Sequence, residues 1–579
     1  MIIVGINAYH ADASAAIFVN GKMVAAIEEE RFRRKKHWAG FPDLAIQFCL
    51  QEAGIGFNDV HHWAIGRDPK AKFFKKILYL LKNPGGSVAA ITDRVKNSRK
   101  AASIQDELAR LSGMPAKNFA GKIHNIEHHR SHIASAFFAS PFEEAACLSI
   151  DGSGDFSTTM TGICKGNEIK ILQSVNFPHS IGIFYTAFTQ LLGFPYYGDE
   201  YKVMGMAPYG QPKYLHLLED VVTLTKDGLF KLNLQYFRTG TSGIISYDDN
   251  HTPVVANLYS KKMIEVFGAA RKKDELLTQY HKDLAASVQR FTEKIIFHIL
   301  NHLQQQTGLT NICIAGGVAQ NSVANGKILS NTSFKKMYIP SAGHDAGISM
   351  GAALYTQHQV LQYPRQPVIM NAYTGSRYSN HEIKKLLTGK EVTFTEMADE
   401  DLYNHVTGCL INGGVVGWFT GRAEFGPRAL GGRSIIADPR RADAKEILNL
   451  KVKRRESFRP FAPSILKEYV PDFFELVDDV PFMEKVFPIK KEKQALIPAV
   501  THVDGTGRLQ TVDKEISPRY YALIDCFRRK SGIPILLNTS FNENEPIVNS
   551  PIEALECFER TNMDMLVLEN IVVQRSGSY

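Results

Sequence analysis

Two stretches of the chain share one order of hydrophobic and polar positions. Residues 2–30, IIVGINAYHADASAAIFVNGKMVAAIEEE, read as a strand, a polar turn and a hairpin closed at Asn20-Gly21. Residues 146–175, ACLSIDGSGDFSTTMTGICKGNEIKILQSV, repeat that order with a hairpin closed near Gly166-Asn167. Asn-Gly and Gly-Asn between alternating apolar runs are typical of β-hairpins. The repetition predicts two similar α/β lobes with phosphate or metal chemistry between them.

Two further segments combine a strand, a glycine-rich turn and a helix. In NICIAGGVAQNSVANGKIL the strand covers residues 311–314 and the turn is Gly316-Gly317. In MYIPSAGHDAGISMGAALYTQ the turn contains Gly343, Asp345 and Gly347. Glycine lets the backbone approach a ligand closely, and the N-terminus of the following helix favours an anion. Both turns are therefore candidate binding sites.

The remaining pattern sets the domain organisation. At 579 residues the chain is too long for one compact core, so several domains are expected. Residues 272–306 form a long amphipathic pattern, which predicts a helix with its apolar stripe in the core. Residues 357–373 carry two prolines and precede a second α/β pattern. The boundary is predicted between residues 356 and 370, which gives domains 1–360 and 370–579.

Composition narrows the class of protein. Apolar residues make up 44% and charged residues 22% of the chain, as in ordinary globular proteins. The net charge of +8 suits an anionic substrate such as a nucleotide, and it would also suit RNA. Seven cysteines are scattered without a C-x-x-C pair, which predicts reduced thiols and a cytoplasmic protein.

The chain shows no signal for a membrane. The start, MIIVGINAYH, lacks a basic region and a long apolar run, so it is predicted to be a first strand rather than a signal peptide. No apolar stretch reaches the roughly 18 residues of a membrane span, so a soluble protein is expected. Residues 68–100 are basic and interrupted by Pro84-Gly85-Gly86, and they are interpreted as a solvated helical insertion or as a lid over the site.

Three histidines crowd into the segment IEHHRSHIASAFFAS. His128 and His132 are four residues apart, so on a helix they share one face and can offer two nitrogens to one metal ion. The alternative interpretation is a polar helix start with solvated histidines. Asp151 and Asp345 follow strand-like runs, and strand ends in α/β folds point into the ligand crevice. Each aspartate alone could equally be a cap, but together the four form an N2O2 set that suits iron(II), manganese or zinc.

The second part of the chain is dense in cations. GRAEFGPRALGGRSIIADPR and NLKVKRRESFRPFAPS interleave arginine and lysine with glycine and proline instead of spacing them along a helix face. The cations singled out in these two stretches are Arg422, Arg428, Arg433, Lys453, Arg455 and Arg459. Rigid guanidinium forks suit a polyphosphate and a carboxylate-like group bound together, which an ordinary exposed basic face would not need. Further along the chain, a strand ends with the polar residues Asn538, Thr539, Ser540 and Asn542, which could hold phosphate or ribose.

Ten short motifs in order give the chain a family resemblance. They are HADASAAI, EEERFRRKKH, EHHRSHIASAF, DGSGD, YKVMGMAPYG, GGVAQN, GHDAG, GRAEFGPRALGGRSI, KRRESFRPFAPS and LLNTSFN. The chain resembles the NodU/CmcH/TobZ family of O-carbamoyltransferases, which act in Nod-factor and antibiotic biosynthesis. The resemblance implies an α/β protein with an N-terminal Kae1-like domain of the two-lobed actin/Hsp70 (ASKHA) fold and a C-terminal YrdC-like α/β domain. It implies that the YrdC-like domain makes carbamoyladenylate from ATP and carbamoyl phosphate, and that the Kae1-like domain transfers the carbamoyl group to a hydroxyl.

The resemblance also implies roles for individual residues. The metal ligands, for iron in related enzymes, are His128, His132, Asp151 and Asp345. The adenylate-binding residues are Asp151, Gly152, Ser153, Gly316, Gly317 and Asn321. The residues for ATP and carbamoyl phosphate are Arg428, Lys453, Arg459, Asn538 and Ser540, and Lys36 is assigned to the acceptor. His10 resembles the histidine that activates the acceptor hydroxyl, but Ala11 separates it from Asp12 where some relatives read His-Asp, so His10 and Asp12 both remain candidate bases.

Three other functions compete with this one. A threonylcarbamoyl-type tRNA-modifying enzyme uses the same two folds, but the full-length fusion with GRAEFGPRALGGRS argues against it. A sugar kinase of the ASKHA fold would need neither the histidine pair nor the basic second domain, and a non-enzymatic nucleotide-binding regulator would show no turnover. The expected partners are a small hydroxylated acceptor, ATP and carbamoyl phosphate, with Mg²⁺ compatible. Neither a membrane nor a nucleic acid is expected, and a homodimer is compatible with the sequence.

Overall fold

The computed structural model describes residues 1–82, 104–239, 245–366, 368–390, 392–453, 455–456 and 458–575. The chain divides into two compact units. Unit 1 comprises Met1–Ala324 and Ile328–Ile369, and unit 2 comprises Met370–Tyr579 together with Asn325–Lys327. Of the predicted basic insertion 68–100, residues 83–100 lie outside the described residues.

The described part of unit 1 contains two five-stranded sheets and two short hairpins. The strands are β1 (Ile2–Asn7), β2 (Ser14–Val19), β3 (Lys22–Glu28), β4 (His62–Ile65), β5 (Ile123–Asn125), β6 (Glu144–Gly154), β7 (Ser157–Lys165), β8 (Glu168–Asn176), β9 (Val222–Leu224), β10 (Phe230–Leu232), β11 (Ile245–Tyr247), β12 (Pro253–Val255), β13 (Asn311–Ala315) and β14 (Lys336–Tyr338). β9 pairs with β10 and β11 with β12 as the short hairpins.

The two large sheets have the same topology. The first has the order β3-β2-β1-β4-β5 and the second the order β14-β13-β6-β7-β8. In each sheet the central strand, β1 or β6, has an antiparallel pair of strands on one side and two strands in parallel pairing on the other. Asn20 and Gly21 both have positive φ between β2 and β3, as the predicted hairpin requires. The duplicated sheet confirms the predicted two-lobed α/β unit of the ASKHA type.

The helices of the described part up to residue 369 surround these sheets. They are α1 (Glu30–Arg33), α2 (Asp43–Ala53), α3 (Phe73–Lys82), α4 (Ile104–Ser112), α5 (His128–Phe137), α6 (Ile181–Leu191), α7 (Glu200–Met206), α8 (Leu215–Val221), α9 (Lys261–Phe267), α10 (Gln279–Thr307), α11 (Ser322–Asn331) and α12 (Gly347–Tyr355). The long amphipathic pattern of 272–306 becomes α10, which starts seven residues later than its first pattern residue because Thr278 caps it with His281 in a capping box.

Two of these helices position the candidate site. α5 packs on β6 and β13 of the second sheet, whereas α12 packs on β1 and β2 of the first sheet. The two helices also pack against each other, and a Cβ at Gly351 of α12 would lie 1.9 Å from the carbonyl oxygen of Ser131 in α5. Only glycine permits this approach. Residues at the start of α5 and in the turn before α12 therefore meet between the two sheets.

Unit 2 is built on one mixed sheet of nine described strands in the order β15-β23-β22-β16-β17-β21-β18-β20-β19. The strands are β15 (Phe394–Glu396), β16 (Val416–Phe419), β17 (Arg433–Ala437), β18 (Ala462–Leu466), β19 (Lys485–Pro488), β20 (Thr506–Val512), β21 (Ile535–Ser540), β22 (Met565–Leu568) and β23 (Ile571–Gln574). The helices are α13 (Asn380–Thr388), α14 (Asp399–Ile411), α15 (Ala444–Leu448), α16 (Val470–Phe473), α17 (Lys491–Gln494), α18 (Pro518–Ser531) and α19 (Pro551–Arg560). A π-helical turn spans Asn449–Lys453. The core contains fully buried side chains such as Trp418, Leu536 and Leu566.

Among the described residues, no helix is both long enough and apolar enough to cross a bilayer. All seven cysteines are buried free thiols.

Candidate functional site

The two histidines of the H-x-x-x-H pair share one face of α5. Glu127 caps this helix by accepting a hydrogen bond from the Arg130 amide, at 2.8 Å. The carboxylate of Asp155 accepts the amide of His128 itself, at 3.0 Å, which fixes the first residue of the helix. The rings of His128 and His132 then lie 4.8 Å apart, centroid to centroid. The spacing in the sequence has therefore brought both imidazoles together.

Both predicted carboxylates face this histidine pair. Asp151 lies in β6, and its Oδ2 is 3.1 Å from His128 Nε2 and 3.3 Å from His132 Nε2. Asp345 lies in the turn before α12, and its Oδ1 is 3.3 Å from His132 Nε2 and 3.7 Å from His128 Nε2. One ligand atom from each of the four residues lies within 4.8 Å of all the others, and all four residues are buried. We call these four residues the His/Asp cluster.

The histidines and aspartates of the His/Asp cluster shift one another's pKa values. Burial disfavours the ionised form of Asp151, but its contacts with His128 and His132 outweigh burial and hold its pKa well below the ordinary value. Burial and the nearby charge of Asp151 would raise the pKa of Asp345, but His10 and His132 outweigh them and lower it. Burial also opposes a charged His132, but Asp151 and Asp345 raise its pKa to about 9.

The donor set fits a divalent cation. His132 Nε2 and Asp345 Oδ1 are buried and face each other without the geometry of a hydrogen bond. Two imidazole nitrogens and two carboxylate oxygens converging in this way match the ligand preferences of iron(II), manganese and zinc. Two carboxylates would also balance the charge of the ion. The His/Asp cluster could therefore hold a metal.

Two glycines leave room for the cluster. A Cβ at Gly154 would come within 2.1 Å of the His128 ring, and a Cβ at Gly317 would come within 2.7 Å of Asp151 Oδ1. The amide of Gly317 also donates to that oxygen, at 3.0 Å. The Gly316-Gly317 turn thus supports a carboxylate of the cluster directly.

His129, the third histidine of the segment, lies outside the cluster. Its Nδ1 is 2.7 Å from Ser149 Oγ, and the residue is fully buried. Burial, with the nearby charges of His128 and His132, keeps the pKa of His129 well below its ordinary value. This histidine packs as a neutral neighbour.

The two candidate bases have different partners. His10 Nδ1 is 2.6 Å from Asp345 Oδ2, and its ring centroid is 5.0 Å from that of His128. Burial opposes a charged His10, but Asp345 outweighs it and raises the pKa of the imidazole. Asp12 instead pairs with His37, through Oδ1 and Nδ1 at 2.7 Å. His10 therefore adjoins the His/Asp cluster, whereas Asp12 is already occupied by another imidazole.

The pair Asp12–His37 is itself surrounded by charge. Burial opposes a charged His37, but Asp12 and Glu30 outweigh it and raise the pKa of His37 to about 9. Asp12, Glu30 and His37 also bring one ligand atom each within 4.8 Å of one another. Lys36, the predicted acceptor residue, is exposed and its charge acts on the neighbouring His37.

The residues predicted to bind the adenylate differ in their availability. Gly152 and Ser153 are partly exposed next to Asp151, and a Cβ at Gly152 would meet open space. Asn321 caps α11 by accepting the Ala324 amide and exchanges two side-chain hydrogen bonds with Gln289. Much of the hydrogen-bonding capacity of Asn321 is thus used within the protein.

A cluster of four arginines lies in unit 2. They are Arg428, Arg455, Arg459 and Arg508. Burial, together with the charges of the other three arginines, lowers the pKa of Arg508 well below its ordinary value. Burial also lowers the pKa of Arg428 to about 10, although Glu484 opposes the change. Arg459 lies 3.5 Å from Glu456, and the Arg455 guanidinium stacks 4.6 Å from the Phe461 ring. We call these four residues the arginine cluster.

Lys453 is used differently. Its ammonium group lies 2.6 Å from the Ser540 carbonyl oxygen, 2.6 Å from the Asn542 carbonyl oxygen and 2.7 Å from Asn542 Oδ1. Three short contacts match the three donors of an ammonium group. Ser540 Oγ also donates to Asn542 Oδ1, at 2.9 Å. In this structure Lys453 fixes the turn that follows β21.

Three other predicted polar residues bond mainly to the protein. Arg433 is fully buried and donates to the carbonyl oxygens of Thr420, Gly421, Gly432 and Ser376. Arg422 donates to the carbonyl oxygens of Gly375 and Thr374. The buried amide of Asn538 donates to Ala429 O, Ser464 Oγ and Gln510 Oε1. The prediction that the dense cations act together is thus corrected for Arg422 and Arg433, whose guanidinium groups bind backbone carbonyls.

Sequence reasoning missed three residues of these two clusters and their surroundings. Arg508 lies in β20, far along the chain from the other arginines, and nothing in its local sequence linked it to them. His37 stands beside the predicted Lys36 in KKH, and Asp155 ends the quoted motif DGSGD.

Comparison with known proteins bears on both units. Residues 2–354 match the family model described as carbamoyltransferase N-terminus, and residues 407–575 match the model described as carbamoyltransferase C-terminus. The chain is 43% identical to the uncharacterized protein sll1178 of Synechocystis sp., across 99% of this chain and 97% of that protein. It is 37% identical to nodulation protein NolNO of Sinorhizobium fredii, across 98% of this chain and 80% of that protein. It is also 39% identical to nodulation protein NolO of Bradyrhizobium diazoefficiens, across 78% of this chain and 79% of that protein.

The two models cover both units, and the predicted enzyme class, an O-carbamoyltransferase, is confirmed. The chain belongs to the carbamoyltransferase family.

Proposed function

We propose that the protein is an ATP-dependent O-carbamoyltransferase that works in two steps. Unit 2 forms carbamoyladenylate from ATP and carbamoyl phosphate, and unit 1 transfers the carbamoyl group to a hydroxyl of a small natural-product or sugar acceptor. The observation that carries the proposal is the contrast between the two clusters. The arginine cluster concentrates positive charge suited to phosphates, and the His/Asp cluster offers ligands and an adjacent imidazole suited to acyl transfer.

The first step is assigned to the arginine cluster. Water takes the phosphoryl group of carbamoyl phosphate, so that the bond from this phosphorus to the carbamoyl oxygen breaks and phosphate leaves. An oxygen of the resulting carbamate then bonds to the α-phosphorus of ATP, while the bond from that phosphorus to the β-phosphate oxygen breaks and pyrophosphate leaves. Each guanidinium can form two charge-assisted hydrogen bonds with phosphate oxygens. Arg428, Arg459 and Arg508 are proposed to hold these oxygens, and Ser540 is proposed to contact the same ligands. Lys453 is proposed to set the position of Ser540 through its contacts with the turn.

The second step is assigned to the His/Asp cluster and His10. The acceptor oxygen bonds to the carbamoyl carbon and AMP leaves, while a base takes the hydroxyl proton. His10 is the better candidate because Asp345 orients its Nδ1 and leaves Nε2 for the proton. Asp12 is the weaker candidate because His37 already occupies Oδ1. Lys36 and His37 are proposed to border the acceptor.

A divalent cation, iron(II) in our proposal, would be held by His128, His132, Asp151 and Asp345 and would polarise the carbamoyl or phosphate oxygens when bound. The adenylate is proposed to lie along Gly152, Ser153, Gly316 and Gly317, with Asn321 shaping the turn. The bound intermediate must be kept from water, since a mixed anhydride hydrolyses readily.

The test separates the two steps. Purified protein is given ATP with and without carbamoyl phosphate, and pyrophosphate release is measured. A panel of hydroxylated sugars and natural products, with tRNA as a comparison acceptor, is then screened for a carbamoyl mass shift. The proposal predicts pyrophosphate release only with carbamoyl phosphate, and a mass shift on a small-molecule hydroxyl. A mass shift confined to tRNA, or release without carbamoyl phosphate, would contradict it.

A further inference from the structure

Helix α3 turns an apolar face to the solvent. Phe74 is 85% exposed, Phe73 56%, Leu78 54% and Ile77 39%. Phe73 and Phe74 each lie one turn before Ile77 and Leu78, so the four side chains share one side of the helix. Single exposed hydrophobic residues are ordinary on protein surfaces, but four adjacent ones form a patch that marks an interaction site.

The opposite face attaches α3 to the second sheet of unit 1. The Tyr79 ring packs 5.7 Å from the Phe156 ring and 5.5 Å from the Phe177 ring. Lys72 Nζ donates to Ser174 Oγ at 2.9 Å and to Asn176 Oδ1 at 2.8 Å, near the end of β8. The helix is therefore held in place with its apolar face outward.

Positive charge accompanies the apolar face. Residues 67–79 contain five basic residues and one acidic residue. Lys70 and Lys75 are exposed, and Lys75 lies between Phe74 and Ile77 in the sequence. An amphipathic helix with large apolar side chains on one face and flanking lysines is typical of segments that lie in the headgroup region of a bilayer.

We infer that α3 docks the protein on an anionic lipid surface. Lysines near a negatively charged leaflet are attracted electrostatically, and the exposed phenylalanine and leucine side chains gain by leaving water. The expectation of no membrane partner rested on the absence of a span, and that does not concern a helix lying along a surface. The inference is independent of the proposed two-step reaction.

The chain before α3 is connected to the His/Asp cluster. Asp155 accepts hydrogen bonds from the amides of Asp68, at 2.8 Å, and of His128, at 3.0 Å. The same carboxylate thus supports the segment leading into α3 and the first residue of α5. The segment before α3 and the candidate metal ligand His128 are thus held by the same side chain, that of Asp155.

Vesicle co-sedimentation of the purified full-length protein tests the inference. The vesicles contain phosphatidylcholine alone or phosphatidylcholine with phosphatidylglycerol, and binding is measured at low and high salt. We expect binding that needs phosphatidylglycerol and weakens at high salt. Phe74→Glu should weaken the vesicle affinity roughly tenfold or more. Leu276→Glu is the matched control, because Leu276 is 87% exposed outside the helix, and it should bind like the wild type.

A second pair of variants isolates the charge. Lys75→Glu should weaken vesicle binding, whereas Lys226→Glu, the same charge change at an exposed lysine elsewhere, should have a much smaller effect. Equal binding to neutral and anionic vesicles would overturn the inference, as would equal effects of Phe74→Glu and Leu276→Glu. If the wild type ignores vesicles and Phe74→Glu converts a dimer to a monomer, the face is instead a contact between two copies of the chain.

Discussion

The His/Asp cluster is buried and the arginine cluster is half-buried, each within an α/β unit, and the two differ in how their charges are balanced. In unit 1, carboxylates alternate with imidazoles at 3.1 to 3.7 Å, so each charged group has an opposite partner. In unit 2, the charges of three other arginines act on Arg508 and have the same sign. The members of the His/Asp cluster thus carry opposite charges, whereas the members of the arginine cluster carry the same charge.

This difference indicates what each site requires. Like charges that are partly removed from water repel one another, and a bound ligand of opposite charge relieves that repulsion. The arginine cluster is therefore expected to gain stability when an anion binds, and to lose repulsion when one arginine is removed. The His/Asp cluster should behave in the opposite way, because loss of one imidazole leaves buried carboxylates without a partner.

The largest expected effect comes from removing both imidazoles of the His/Asp cluster. The double variant His128→Ala/His132→Ala should lose its bound metal and all measurable carbamoyl transfer, since two of four ligands are gone. Elemental analysis after dialysis measures the metal, and circular dichroism checks that the variant is folded. His129→Ala is the neighbouring control and should keep its metal. Full metal occupancy in the double variant would sink the metal assignment.

Substitution of the candidate base should have the next largest effect. His10→Asn should lower the rate of transfer by roughly 10²- to 10⁴-fold, the usual worth of general-base catalysis. Pyrophosphate release by unit 2 should stay nearly normal. Asp12→Asn is the matched comparison and should cost less, because Asp12 pairs with His37 rather than with the cluster. A mild loss in His10→Asn with a severe loss in Asp12→Asn would reverse the assignment.

An arginine variant tests the repulsion among the like charges of the arginine cluster. Arg508→Ala should lower pyrophosphate release by roughly 10²- to 10³-fold, since it removes a donor to charge that develops on the phosphates. Because it also relieves repulsion, its free energy of unfolding without ligands should stay equal or rise. Arg529→Ala, at a side chain that is 60% exposed, is the control and should change neither quantity. Clear destabilisation of unligated Arg508→Ala would show that repulsion from the other three arginines does not dominate the interactions of Arg508.

A pair of glycines sharpens the geometry of the His/Asp cluster. Gly154→Ala should weaken metal affinity about 10- to 100-fold, because its methyl group would displace the His128 ring that is proposed to hold the ion. Gly152→Ala, where a methyl group meets open space, should keep its metal. Metal titration of both variants gives the comparison, and equal affinities would mean that His128 is not constrained as described.

The smallest expected effect is a pH dependence of metal binding. Asp151 and Asp345 raise the pKa of His132 to about 9, so the metal-free site retains a proton at neutral pH. A metal must displace that proton, so affinity should rise up to about tenfold per pH unit between pH 7 and pH 9 and level off above pH 9. Competition titrations at several pH values measure this slope, and a flat profile would contradict the raised pKa of His132.

How much the sequence revealed differs between the same two regions. The spacing of His128 and His132 is local, and helix geometry alone puts both on one face. Both Asp151 and Asp345 follow strand-like runs in the sequence, so their convergence could be expected from the α/β pattern, although β6 extends past Asp151 to Gly154. The partner of Asp12 could not be expected, because His37 meets it only after the chain has passed through β2 and β3.

The cationic segment was harder to interpret because the sequence does not say which way an arginine points. Arg428 and Arg433 are five residues apart in one glycine-rich stretch, yet Arg433 bonds to backbone carbonyls while Arg428 joins the cluster. That choice depends on how the loop before β17 folds against its neighbours. Arg508 comes from a strand far along the chain, and only the tertiary fold brings it to the others.

The most direct test supplies the proposed intermediate to both kinds of variant. Preformed carbamoyladenylate and an identified acceptor are given to Arg508→Ala and to His128→Ala/His132→Ala, and acceptor carbamoylation is followed by mass spectrometry. The proposed division of labour predicts near-normal transfer by Arg508→Ala and no measurable transfer by the histidine variant. If the two variants fail alike, or if the histidine variant transfers normally, the assignment of the two steps to the two clusters is wrong.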